Sequence, residues 1–219
     1  MRRTARPWRG MSRSSRRSIL IAAALLLLPT LSWAAPTAPP EDDAGPASLR
    51  GQLLVASPAI GDPRFYHAVI LIVRHDKGGA FGIMINRPVE ERTLTSLLAA
   101  IGKPDDTAEG KVEVYAGGPV ELGAGFIVHT TDYHHPDTIA IDGRIAVTSN
   151  PDILRDIGHH KGPAKSLFAM GYAGWGPGQL EGEMDRHDWF TAPADPKLVF
   201  DVERDAVWDR AMAARTRDL

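Results

Sequence analysis

Gly171-Tyr172-Ala173-Gly174-Trp175-Gly176-Pro177-Gly178-Gln179-Leu180-Glu181 is the stretch on which the reading of this chain turns. It carries four glycines, two aromatics and one proline in eleven positions, then runs into helix-like sequence. Glycine loses more backbone freedom on folding than any other residue, so this density predicts a loop that needs positive φ or close backbone approach. Tyr172 and Trp175 are its apolar anchors. Lys165 to Met170 reads as a strand leading in, and Gln179 to about His187 as a helix leading out.

Outward from that loop, short apolar runs alternate with turn chemistry. Gly51 to Ala56 predicts a strand stopped by Ser57-Pro58. Ala68 to Val73 is a continuous β-branched run, as in a buried central strand. Asp76-Lys77-Gly78-Gly79 turns it back into Ala80 to Ile85, which predicts a hairpin. Asn86-Arg87-Pro88 ends that strand. Thr93 caps a short helix from Leu94 to Ile101. Val112 to Tyr115 and Phe126 to His129 are further strands. Asp142-Gly143 joins Thr138 to Ile141 with Ile145 to Thr148 as a hairpin. Helices are expected from Pro151 to about Ile157 and from about Val202 to Arg215. Many short strands, few short helices and no βαβ alternation argue for an α+β single domain.

The N-terminus has its own design. Residues 1–17 hold seven arginines and no acid, Ile19 to Leu28 is a ten-residue apolar run, and Ser32-Trp33-Ala34 offers small residues for cleavage. That is a secretory signal peptide over residues 1–34, with Ser15 to Leu20 resembling the twin-arginine export pattern and the general secretory route as its alternative. An uncleaved membrane anchor is the competing reading. Residues 35–48 form a proline- and acid-rich linker, and residues 49–215 the domain. Localisation is therefore expected to be periplasmic, with cytoplasmic as the alternative. Loss of the seven leader arginines takes the net charge from −2 to −9, which argues against nucleic-acid backbone binding. No cysteine is present, so disulfides and thiolate chemistry are excluded.

Several short motifs occur in a fixed order: Gly51 to Pro58, Asp62-Pro63 with Phe65, His75-Asp76 with Gly79-Ala80 and Gly82, Asn86-Arg87-Pro88, Gly117-Gly118-Pro119-Val120, Gly125-Phe126 with His129, Thr148-Ser149, Gly171 to Glu181, Trp189, and Ala192 to Asp195. This series resembles the bacterial YqgE/AlgH family over roughly Leu49 to Ala214. The resemblance implies a mixed, strongly curved sheet partly closed into a barrel and flanked by helices. It implies no established activity. Members carry a transcriptional-regulator label tied to alginate production, and are usually cytosolic, starting near the position of Leu49. This chain departs from them by its leader, and by Ala68 where the pattern has a serine or threonine after a basic residue; His67 takes the basic place.

The chemistry-bearing candidates are few. Arg87 is the best anion binder, because its guanidinium fork matches carboxylate or phosphate; the bland alternative pairs it with Glu121 or Asp195. Asn86 can orient a carbonyl. Gly117 and Gly118 form either an anion nest or a tight turn. Together with Tyr172 and Trp175 these define a candidate binding surface for an unknown protein or a small anionic ligand. No catalytic set, metal site or cofactor motif is complete. His134-His135 and His159-His160 are adjacent pairs whose rings diverge, so one ion does not take both. A binding module is thus the leading expectation. A hydrolase using His75, Asp76 or His129 with Arg87 is an alternative that requires those side chains to converge. The family's regulator label is the other.

Overall fold

The computed structural model describes residues 48–216; the segment read as a signal peptide, all but the last residue of the expected linker, and the final three residues lie outside the described residues. Ten strands form one sheet: β1 (Gln52–Ala56), β2 (Val69–Asp76), β3 (Gly79–Met84), β4 (Pro88–Thr93), β5 (Lys111–Ala116), β6 (Val120–Thr130), β7 (Thr138–Ala140), β8 (Ile145–Thr148), β9 (Ser166–Trp175) and β10 (Trp189–Pro193). Five helices flank it: α1 (Leu94–Ala100), α2 (Asp152–Gly158), α3 (Gln179–Asp185), α4 (Pro196–Phe200) and α5 (Val207–Ala213). The order is β10-β1-β2-β3-β9-β6-β8-β7, with the β4–β5 ribbon attached through β9. Every pairing is antiparallel except β5 with β9, so the sheet is mixed and curls into a half-barrel in an α+β single domain.

The sheet is organised by β9. It lies beside β6 from Ser166 to Tyr172, beside β5 from Phe168 to Met170, and beside β3 from Ala173 to Trp175. Gly171 has φ +73°, and β6 carries an irregularity opposite it between Val120 and Gly125. Such breaks bend a strand and raise its local twist, which curls the sheet.

The glycine run is therefore not a loop throughout, and that expectation is corrected. Residues 171–175 continue the strand, and only Gly176-Pro177-Gly178 turns the chain into α3. The physical reason is period two. Tyr172 faces one core, while Ala173 and Trp175 face the other. Tyr172 covers the bare side of Gly174: an added Cβ there would stand 3.2 Å from its ring. The C-terminal helix also differs from expectation. Asp195 and Pro196 start α4, with the Asp195 carboxylate accepting from the Lys197 N–H, and the chain breaks again before α5.

Three apolar clusters result. The inside of the curl joins Leu53, Leu71 and Phe126 to Leu198, Val199, Val207 and Ala211 of α4 and α5. On the opposite face Leu54, Ile70 and Ile72 meet Trp175, Trp189 and Leu180 of α3. The third cluster packs Ile127 and Phe168 under Leu94, Leu97 and Leu98 of α1 and Ile153 and Leu154 of α2. Each fully buried side chain of this size stabilises the fold by roughly 1.5–3 kcal/mol.

Candidate functional site

Asn86 and Arg87 follow β3 and meet the start of β2. The Asn86 side chain accepts from the Val69 N–H at 2.9 Å and donates to the His67 carbonyl at 2.9 Å. Its amide thus acts as one more rung of the ladder and fixes residues 67–69, where His67 holds φ +54°. The Arg87 carbonyl accepts from the Ala116 N–H, tying it to β5. Its guanidinium donates to the Tyr66 carbonyl at 2.7 Å. Among the described residues no carboxylate lies within 4.0 Å of Arg87. Asp195 instead caps α4, and Glu121 lies 3.5 Å from the Tyr172 hydroxyl.

Beside Arg87 stands a feature the sequence does not announce. Tyr66, 56% exposed, stacks on His67 with ring centroids 4.0 Å apart, and His67 stacks on Trp208 at 3.9 Å. Trp208 anchors the pile by donating its indole N–H to the Ala56 carbonyl at 2.9 Å. An aromatic face rooted in the core thereby reaches solvent next to a guanidinium.

Gly117 and Gly118 serve backbone approach. The Gly117 N–H donates to the Met170 carbonyl at 2.7 Å, and its carbonyl accepts from the Met84 N–H at 2.8 Å. That N–H is therefore engaged rather than presented to an anion. A Cβ on Gly117 would sit 2.3 Å from the Gly171 oxygen, and one on Gly118 2.1 Å from the Tyr172 carbonyl carbon. Tyr172 packs its ring against Phe81 and Phe126, and burial first, then the nearby Glu121 charge, raises its phenol pKa. Through Ala116, these contacts place Arg87, Gly117, Gly118 and Tyr172 in one continuous neighbourhood. Trp175 is not part of it. It is buried on the other face of β9 and donates to Glu183 Oε2 at 2.8 Å.

The residues of the hydrolase alternative do not converge. His75 Nδ1 accepts from the Leu49 N–H at 3.0 Å, so Nε2 carries the proton and donates to Glu181 Oε1 at 2.8 Å. Asp76 closes the β2–β3 turn by accepting from the Gly78 N–H. His129 lies on β6, three strands across the sheet from β2, about 14 Å at the usual strand spacing. Arg87 is beyond the far end of β3 from the His75–Ala80 pair. Among the described residues no three metal-ligating side chains gather.

His129 is fully buried and belongs to a hydrogen-bond chain. Its Nδ1–H donates to the Thr130 carbonyl at 2.8 Å, and its Nε2 accepts from the Thr148 hydroxyl at 2.8 Å. Thr148 accepts in turn from Thr138 at 2.8 Å, and Thr138 from the His135 N–H at 3.0 Å. Burial lowers the His129 pKa, against smaller opposing effects of the Thr130 carbonyl and the Asp132 charge. On acidification the unfolded chain takes up this proton first. The stability His129 contributes is thus complete above its unfolded value of 6.5 and is lost as pH falls below it. Urea unfolding at about pH 7.5 and about pH 5.5 is expected to show a loss that His129→Gln reduces. Equal losses in both proteins would remove His129 as a source.

The comparisons agree with this architecture. The profile of the AlgH-like family, DUF179, matches residues 53–219. A UPF0301 protein of Jannaschia sp. is 46% identical over 166 residues, covering 75% of this chain and 86% of that protein. Another, from Rhizorhabdus wittichii, is 46% identical over 167 residues, covering 76% and 89%. The solution structure of the AlgH protein from Pseudomonas aeruginosa superposes with a TM-score of 0.67 at 34% identity, over 78% of this chain and 90% of that one. A Corynebacterium diphtheriae crystal structure, at 23% identity and a TM-score of 0.56, shares the fold. With its family profile matched across the whole sheet and its relatives covered nearly end to end, this chain belongs to the AlgH-like (UPF0301) family.

Proposed function

We propose that the chain is an exported binding module that captures an anionic group, carboxylate or phosphate, at Arg87 beside the Tyr66–His67–Trp208 stack. One observation carries the reading: the Arg87 guanidinium donates to the Tyr66 carbonyl and has no carboxylate within reach among the described residues. Arginine presents five donors in a planar fork, so most remain for a ligand. The exposed Tyr66 ring supplies an apolar platform next to it. Export rests on the leader, which lies outside the described residues; among those described, no helix is long and apolar enough to cross a membrane.

The test is a thermal-shift screen of organic carboxylates and phosphates, with Arg87→Ala and Arg87→Lys alongside. Charge-assisted hydrogen bonds contribute about 1.5–3 kcal/mol, so Arg87→Ala is expected to weaken a true ligand roughly tenfold to a hundredfold. Lysine restores part of this, as a point charge without the fork. Hits that survive Arg87→Ala unchanged exclude this surface. Fractionation with N-terminal sequencing tests export. Salt-dependent DNA binding by the accumulated protein would restore the regulator reading.

A further inference from the structure

The parallel pair β5–β9 is joined at Val114–Phe168, Tyr115–Ala169 and Ala116–Met170 and no further. The next pairs in that register, Glu113 with Leu167 and Val112 with Ser166, are not joined. The two strands splay at their N-terminal ends and leave a cleft of about 450 Å³ between them. Half-buried Val112, Ile157, Phe200 and Val202 supply its apolar side, from β5, α2, α4 and the segment that follows α4. Its size is that of a small-molecule site, and its exposed lining is more polar than apolar.

On the polar side of the cleft, two carboxylates lack an ionic partner against one guanidinium. Five charged side chains line it: Lys111, Glu113, Asp201, Glu203 and Arg204. Lys111 is paired with Glu91 at 2.9 Å, and Asp201 with Lys165 at 2.5 Å, both partners standing outside the lining. Arg204 keeps its charge but is turned onto carbonyls at the end of α4 and just beyond it, donating to Val199 at 2.8 Å and also to Val202. Glu113 and Glu203 have no cationic partner within 4.0 Å among the described residues. Glu113 uses Oε2 to accept from the Tyr115 hydroxyl, and Oε1 has no partner there. Tyr115 is buried, which with the Glu113 bond pushes its phenol pKa well above the usual range. It therefore stays a donor and holds the carboxylate in place.

We propose that this cleft binds a small cationic amphiphile, an amine with an aliphatic or aromatic body. The ammonium meets Glu113 Oε1 and Glu203 at the mouth, and the body lies on the apolar side of the cleft. The site lies on the β5–β9 split, apart from the Arg87 surface, and stands or falls independently of it.

The experiment uses ¹⁵N-labelled protein as it accumulates in cells and three matched probes: n-hexylamine, hexanol and hexanoate. Hexylamine is expected to shift the amides of Glu113, Ser166 and Glu203 saturably, hexanol more weakly, and hexanoate not at all. Neutralising both carboxylates, Glu113→Gln with Glu203→Gln, is expected to weaken hexylamine about tenfold or more, since each loses a charge-assisted bond. Glutamine at 113 still accepts from Tyr115, so the fold is retained. Ile157→Trp, which fills the cleft, should abolish the hexylamine shifts, whereas Arg87→Ala should leave them unchanged. Hexanoate moving the same amides as strongly would overturn the assignment, as would full binding by the double glutamine variant or shifts confined to other surfaces.

Discussion

Glu183→Leu is expected to unfold this protein at a much lower temperature while leaving every apolar contact of α3 in place. Glu183 Oε2 accepts the indole N–H of Trp175 and of Trp189, each at 2.8 Å. Its Oε1 accepts from Gln179 at 2.9 Å, and Gln179 in turn accepts from the Gly176 N–H. One carboxylate thus satisfies two buried tryptophans on β9 and β10 and clasps them to the helix. Leucine leaves both indole donors unpaired, at about 1–3 kcal/mol each. For a domain of this size every kcal/mol moves the melting temperature by about 2–4 °C, so a fall of roughly 12 °C is the central expectation. Glu183→Gln should lose far less, because its amide oxygen can still accept both indoles. What it sacrifices is the bond from Gln179, where two amide nitrogens would now face each other. Thermal and urea unfolding followed by tryptophan fluorescence measures both variants. A leucine variant within about 0.5 kcal/mol of the parent would show the clasp to be incidental.

Gly118→Ala should be more damaging still. Its Cβ would stand 2.1 Å from the Tyr172 carbonyl carbon, 2.2 Å from its oxygen and 2.3 Å from the Ala173 nitrogen. All three are backbone atoms inside β9, so no rotamer change relieves the overlap. Gly118 also holds φ +155°, a region that side chains disfavour. The strand that three others hang on would have to move, and a loss above about 4 kcal/mol is expected, enough to leave little soluble folded protein. Gly123→Ala is the control: it lies in the irregular part of β6 with nothing within 4 Å of an added Cβ, and should stay within about 0.5 kcal/mol of the parent. Comparable soluble yields and unfolding midpoints for the two would refute the close-approach argument.

The parts of this fold that were legible in the sequence are those with local causes. The β2–β3 hairpin announced itself by a β-branched run and an Asp76-to-Gly79 turn, and the β7–β8 hairpin by Asp142-Gly143. Thr93 caps α1 by accepting from the Ser96 N–H, as read. Strand β4 was missed because Pro88-Val89-Glu90-Glu91-Arg92-Thr93 has no apolar alternation; it is a strand only because β5 offers it a ladder. The curl of the sheet came from resemblance, not from periodicity. For the candidate site, Arg87 was readable as residue type, and its lack of a nearby acid was not. The Tyr66–His67–Trp208 stack joins residues more than a hundred positions apart, and no local pattern carries such a contact. Nor does any pattern carry the β5–β9 split, which exists because a register stops.

The position of β9 has a consequence for synthesis. Its first residue is Ser166, and the partner of β1 on its outer side is β10, beginning at Trp189. While the ribosome is still translating the first three quarters of the message, the emerging polypeptide can close early hairpins but has nothing to bind their open flanks together. Closure of the native sheet therefore waits until β9 and β10 have been made, and until then those flanks are a surface for chaperones.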